Sequence, residues 1–195
     1  MKTKNPSQLT DQQLIHLYLN GDVESLSIII ERHKEKIFTS IVLLVKDRHA
    51  AEDIFQDLFI KVIDLLKEGK YCDQGKFLPW IMRIAHNMAI DHFRNKKRMP
   101  VITTNCGEDI FEALNFTEAA ADRNIISRQT VDTVRKMIDT LPKDLREVLI
   151  LRQYGELSFK EIAKITNSGV NTTLGRMRYA LLNLRKLADE KQLAF

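Results

Sequence analysis

Between Gly21 and Gly69 the chain carries neither glycine nor proline, and through that stretch its apolar residues return every three or four positions. In VESLSIIIERHKEKIFTSIVLLVK the residues Leu26, Ile29, Ile30, His33, Ile37, Ile41 and Leu44 line one stripe; in HAAEDIFQDLFIKVIDLLKEG the stripe is Ile54, Phe55, Leu58, Phe59, Val62, Leu65 and Leu66. A 3.6-residue period gathers such residues on one face of a helix and scatters them over both faces of a strand. Two long helices, each apolar on one side, must bury those sides against further elements. With 7 Gly and 4 Pro in 195 residues, too few for a turn-rich sheet protein, those elements are expected to be helices as well.

The punctuation agrees. Thr10 precedes DQQLIHLYL as an N-cap, Asn20-Gly21 supplies a left-handed exit, and Asp22 caps the next helix. Asp47-Arg48 allows a turn and Gly69 closes the following helix. After a loop from Lys70 to Gly75 comes FLPWIMRIAHNMAIDHFRNKKR, where Pro79 is tolerated because it stands in the first turn. Residues 99–121 mix Pro, Thr, Asn, Gly and acids without a sustained period and read as a linker. Helical sequence resumes at Asp122, breaks at Leu141-Pro142 and continues in LREVLILRQYG. The expected architecture is all-α: two small helical domains, residues 1–98 and 122–195, joined by a flexible linker at 99–121. The tether is expected to hold two cationic surfaces apart; it also permits the halves to close on each other or on an inhibitor.

Several classes fall away. Cys72 and Cys106 form no CxxC and have no nearby histidine cluster, so neither a disulfide framework nor a zinc site is indicated, and a reducing cytoplasm fits. The N-terminus lacks the apolar core of a signal peptide, and the run Ile41 to Val45 is far too short to cross a bilayer, which argues against membrane insertion. No metal, cofactor or small-molecule substrate is called for. The net charge of +4 says less than its distribution. From Arg83 to Arg98 five cations face the single anion Asp91, whereas from Val101 to Asp132 six acids face Arg123 and Arg128. Basic surfaces flank an acidic middle, a pattern suited to a polyanionic partner.

The C-terminal stretch LSFKEIAKITNSGVNTTLGRMRYALLNLRK carries the most specific local signal. Ser158 and Glu161 form a reciprocal capping pair, with Leu157 and Ile162 as its hydrophobic staple. Asn167-Ser168-Gly169 makes a turn of about three residues between two helices, which is helix-turn-helix spacing. On the second helix Val170, Thr173, Met177, Leu181 and Leu184 are expected to face inward, leaving Asn171, Thr172, Arg176 and, beside them, Leu174 and Gly175 outward. The N-terminal half of such a helix meets base edges in the major groove, where Arg pairs with guanine and Asn with adenine. A plain helical hairpin with a solvated polar face is the competing reading; the absence of acids between Asn167 and Leu187 weighs against it.

LPKDLREVLILRQYGELSFKEIAKITNSGVNTTLGRMRYALLNLRKL resembles region four of bacterial sigma factors. SIIIERHKEKIFTSIVLLVKDRHAAEDIFQDLFIKVIDLL followed by FLPWIMRIAHNMAIDHFRNKKR resembles their region two. Both blocks in this order, with a short linker, are similar to the extracytoplasmic-function (ECF) subfamily. The resemblance implies a factor that binds core RNA polymerase, directs it to promoter DNA and assists opening, without catalysis of its own. It implies that Lys160, Asn171, Thr172, Thr173, Leu174, Gly175, Arg176, Arg178 and Tyr179 serve the minus-thirty-five element. For the minus-ten element it implies Tyr71, Cys72, Asp73, Gln74, Lys76, Arg83, Asn87, Asp91, Arg94, Lys96, Lys97 and Arg98. Within that set a loop captures a flipped base, which costs a few kcal/mol of unstacking and needs a shaped pocket. The acidic strip Glu52, Asp53, Gln56 and Asp57 would dock on the polymerase, and an anti-sigma partner is implied as well. A stand-alone helix-turn-helix regulator and a carboxylate metal nuclease at Asp53 and Asp57 are the alternatives.

Overall fold

The structure, a computed structural model, describes residues 9–71, 76–98 and 125–190, and among these all side chains except those of residues 96–98 and 125–132. The linker expected at 99–121 therefore lies outside the described residues. The start signals read in the sequence are used. The Thr10 hydroxyl accepts from the Gln13 amide at 3.3 Å while the Thr10 amide donates to the Gln13 side chain at 3.0 Å, opening α1 (Asp11–Leu19). Asp22 caps α2 (Val23–Val45) and Asp47 caps α3 (Arg48–Lys67), their carboxylates accepting from Glu24 and Ala50 amides. α4 (Phe77–Arg98) completes the N-terminal unit. The C-terminal unit comprises α5 (Ile125–Thr140), α6 (Lys143–Gln153), α7 (Phe159–Ile165) and α8 (Val170–Glu190). Among the described residues there is no strand.

α2 is the axis of the molecule. Its first half is amphipathic, but from Ile37 to Val45 every residue is buried, because α1, α3, α4 and α6 all lie against it. A helix segment enclosed on all sides has no polar face to spare, and the one serine in its middle, Ser40, donates to the Lys36 carbonyl at 2.7 Å. Burying each of Ile29, Ile37 and Ile41, which are fully enclosed, contributes about 1.5–3 kcal/mol.

The two units pack against each other. Leu14 through Ala89 and Val148, Ile150, Leu151, Leu157 and Ile162 belong to one continuous apolar core. α6 packs on α2, and α7 on α4. His86 of α4 and Glu147 of α6 form a buried hydrogen-bonded pair across this junction. Around its rim Lys36 pairs with Glu156, and Lys76 with Glu161 at 3.1 Å. Lys46 donates to the Asp139 carbonyl at 2.7 Å, and the Lys143 ammonium stands 5.5 Å from the Phe93 ring centre. The physical reason is that α6 is apolar on two sides: Val148, Ile150 and Leu151 feed the shared core, while Leu149 faces a second, smaller one with Ile138, Leu141 and Ala180.

That smaller core corrects the register read for α8. The inward stripe is Thr173, Met177, Ala180 and Leu184, spaced four, three and four, with Leu181 half exposed at 51% and Val170 exposed as well. Ala180, fully buried, takes the place assigned to Leu181 and packs with Ile138, Leu141 and Leu149.

Candidate nucleic-acid interface

The helix-turn-helix is assembled as its sequence prescribes. Ser158 and Glu161 exchange the reciprocal cap, with the Ser158 amide 2.8 Å from the Glu161 carboxylate and the Glu161 amide 3.3 Å from the Ser158 hydroxyl. Arg152 donates to the Leu157 carbonyl at 2.8 Å and lies over the Phe159 ring, which fixes where α7 begins. Asn167 takes the left-handed conformation, φ 49°, that the turn demands. A chain of hydroxyls closes it: Ser168 is 2.9 Å from both Thr166 and Thr173, Thr166 donates to the Ile162 carbonyl, and Thr173 donates to the Gly169 carbonyl.

On the N-terminal half of α8, Asn171, Thr172, Leu174, Arg178 and Tyr179 are exposed, and space is open beside Gly175. Asn171, Gly175 and Arg178 recur at helical spacing, as do Thr172, Gly175 and Tyr179, so these form a single polar and aromatic face. Lys160 of α7 is exposed nearby in sequence. Two members of the expected set sit differently. Thr173 is fully buried and its hydroxyl is spent inside the turn, so it has no part in an outer face. Arg176 is half buried and its guanidinium donates to the Asp144 carboxylate of α6 at 2.7 Å.

The second basic surface is the outer side of α4. Arg83, Asn87, Asp91 and Arg94 are all exposed and, at spacings of four, four and three, share one face. Asp91 lies 3.5 Å from Arg94, so it neutralises part of that arginine and orients it. At the N-terminal end of this face Tyr71, Trp80 and Phe77 form an aromatic cluster, with ring centres 4.8 Å apart for Tyr71 and Trp80. Phe77 is buried, whereas Trp80 and Tyr71 are half buried and able to offer ring surface. Cys72, Asp73, Gln74 and the side chains of Lys96, Lys97 and Arg98 lie outside the described residues. A cleft of about 390 Å³ opens between this aromatic cluster and α7, lined by Lys70, Lys76 and Arg83 from one unit and by Glu161 and Lys164 from the other. Lys164 was missed in the sequence because nothing in its own helix points to a groove shared with α4. Burial tends to raise the Glu161 carboxyl, but hydrogen bonds from Ser158 and the Lys76 ammonium outweigh it and hold the group below its usual value.

On α3, Asp53, Gln56 and Asp57 are exposed, and Glu52 is half buried in an ion pair with Arg48 at 2.7 Å. Among the described residues no group of three or more metal-ligating side chains gathers, and no described helix is long and apolar enough to cross a membrane.

The sigma-70 region 2 family matches residues 29–99, and the sigma-70 region 4 family matches residues 132–181. The RNA polymerase sigma-H factor of Pseudomonas aeruginosa is 32% identical over 176 residues, covering 88% of this chain and 90% of that protein. The ECF RNA polymerase sigma-E factor of Escherichia coli is 30% identical over 191 residues, covering 94% and 95%. Two solved structures share the fold. CnrH, in complex with the cytosolic domain of CnrY, superposes with a TM-score of 0.62 at 19% identity, over 92% of this chain and 97% of that one. The sigma factor RpoE of Bartonella quintana, in complex with the anti-sigma factor NepR, gives 0.63 at 17% identity, over 86% and 98%.

Proposed function

Because this chain belongs to the extracytoplasmic-function sigma factors, we propose that it divides promoter recognition between the exposed faces of α4 and α8 and docks on polymerase through α3. It is a promoter-specific initiation factor that binds RNA polymerase; bond-making belongs to the polymerase. α8 presents Asn171, Thr172, Leu174, Gly175, Arg178 and Tyr179 to the minus-thirty-five element, with Lys160 on the adjoining helix. Asn171 and Arg178 are the base readers, and Leu174 suits a thymine methyl. Arg176 reaches the duplex only by leaving Asp144.

α4 presents Arg83, Asn87 and Arg94 to the minus-ten element, with Tyr71 and Trp80 as stacking surface for an unstacked base. Asp91 holds Arg94 in place. Lys76, with Lys96, Lys97 and Arg98 beyond the described side chains, supplies attraction to phosphates that weakens as salt rises. Asp53, Gln56 and Asp57, with Glu52 beside them, form the polymerase-docking strip. We further infer an anti-sigma partner that competes for these faces. The domain division at 99–121 belongs to the same reading.

The observation that carries the proposal is the exposed Asn171, Thr172 and Arg178 on the N-terminal half of a helix whose other side is packed. The test is transcription by core polymerase plus the purified full chain, with the starts sequenced. Substituting Asn171→Ala with Arg178→Ala is expected to relax preference at minus thirty-five alone, and Arg83→Ala with Asn87→Ala at minus ten alone. Start-site profiles indifferent to both would overturn the assignment. Tight binding to a palindromic duplex in the absence of polymerase would favour a stand-alone regulator instead.

A further inference from the structure

We propose that the cleft of about 390 Å³ between the aromatic cluster at the start of α4 and helix α7 is a binding site for a free nucleoside diphosphate. The site has two walls. Tyr71, Trp80 and Arg83 stand on one, and Leu157, Lys164 and Ile165 on the other, so a ligand here is held from both sides. Its volume lies at the lower end of the range for small-molecule sites, about 300–1,000 Å³, which suits a base, a sugar and a short phosphate chain.

The chemistry of the walls selects the ligand. Lys70, Lys76, Arg83 and Lys164 line the cleft with a single acid, Glu161: four cations against one anion, a net +3. Two of the cations are already matched, Lys76 by Glu161 at 3.1 Å and Lys70 by Glu68 at 2.7 Å. Arg83 and Lys164, one on each wall, are exposed and pair with no acid among the described residues. Like charges that share a cleft focus their field into it and draw an anion between them. A guanidinium grips phosphate through a bidentate fork and an ammonium as a point charge, so phosphate recognition falls to these two. Beside them lie ring faces. Tyr71 and Trp80 are half buried, with ring centres 4.8 Å apart, and the buried Phe77 backs both. A heterocycle stacks on such a surface whichever base it is. Only a molecule with a ring at one end and an anion at the other uses both halves of the site. Tyr71, Trp80 and Arg83 are also the groups assigned above to the minus-ten element, so a bound nucleotide withholds them from promoter DNA. That consequence rests on the promoter assignment; the binding itself does not.

Trp80 is the single tryptophan of the chain, so its fluorescence in the purified full-length protein reports on the cleft directly. Titration with ADP or GDP should quench it saturably. Adenosine and pyrophosphate, each carrying half of the ligand, should bind about tenfold more weakly, the worth of the missing charge-assisted contacts or of the missing stacking. Lys164→Ala and Arg83→Ala should each weaken ADP binding about tenfold, and Lys164→Arg should restore it. No saturable quenching below millimolar nucleotide would overturn the site, and pyrophosphate that binds as tightly as ADP would overturn its aromatic half. ADP binding indifferent to Lys164→Ala would mean that the nucleotide merely covers the promoter-facing rings of α4, which overturns the two-walled site. The regulatory consequence is read by displacement: ADP should release a labelled single-stranded oligonucleotide of mixed sequence at the concentration that quenches Trp80. An oligonucleotide that depends on Asn87, outside the cleft, yet stays bound at saturating ADP would overturn that consequence. Failure of the promoter assignment looks different: oligonucleotide binding would then be indifferent to Asn87→Ala, while the ADP series in the cleft variants kept its order.

Discussion

Gly155 sits where α6 hands over to α7, directly beneath α4, and the structure states what a single methyl group would meet there. A Cβ at this position would lie 2.7 Å from the Leu151 carbonyl oxygen, 3.3 Å from the Met82 terminal methyl and 3.4 Å from a Leu157 methyl. The first contact is the severe one. That oxygen belongs to the last turns of α6 and accepts from the Leu157 amide at 3.3 Å, so it cannot retreat without loosening the turn that leads into the helix-turn-helix. Met82 is a flexible chain, but it is almost fully buried and has little room to swing. Overpacking of this kind costs about 1–3 kcal/mol, while the stiffer unfolded chain of an alanine variant returns about 0.4–1 kcal/mol. Gly155→Ala should therefore destabilise the full chain by about 1–2 kcal/mol, read as a fall of roughly 0.5–1 M in the urea midpoint at unchanged slope. Because the backbone contact is nearer than the side-chain one, most of the loss should persist in a Met82→Ala background. Equal or higher stability in Gly155→Ala would refute the reasoning, and a loss that vanishes with Met82 would move its cause from the turn to the α4 junction.

Two further outcomes are expected. Asp11 in α1 binds Arg32 at 2.6 Å and His33 at 2.7 Å; burial alone would raise its carboxyl, but the hydrogen bond and charge of His33, then those of Arg32, hold it below the ordinary 3.8. A depressed carboxylate contributes stability that is present above its unfolded value and lost as pH falls through the folded one. The stability gap between wild type and Asp11→Asn should thus be present above the unfolded value and shrink progressively as pH falls below it, as urea midpoints would show. A gap independent of pH would mean that α1 is held by packing alone. At the recognition helix, Asp144→Ala should free Arg176 and tighten promoter binding about two- to fivefold, the worth of an exposed pair, while Arg176→Ala should weaken it by about 1–3 kcal/mol. Weaker binding in Asp144→Ala would make the pair a structural clamp between α6 and α8.

The local features were legible without coordinates. The N-cap at Thr10, the reciprocal cap at Ser158, the left-handed Asn167 and the stripes of α2 and α3 depend on residues within a few positions of one another, and each stands as read. The same holds for the outer face of α4, where Arg83, Asn87, Asp91 and Arg94 are neighbours by helical period alone. Thr173 was placed at once on the inner stripe and among the DNA contacts; only its 0% exposure and its bond to the Gly169 carbonyl decide between them.

What the amino-acid order determined by itself is the helical alphabet of this chain and the exposed polar faces of α4 and α8, because amphipathic period, caps and turn residues act over one or two helical turns. Tertiary structure alone decided the rest. His86 finds Glu147 across 61 positions, Lys76 finds Glu161 across 85 and Lys36 finds Glu156 across 120, and no local pattern marks those residues as partners. Ala180 rather than Leu181 faces inward, against Ile138, Leu141 and Leu149. Whether the two units stand apart or together likewise depends on a junction that combines apolar surface from both with a buried pair that is satisfied only when they meet.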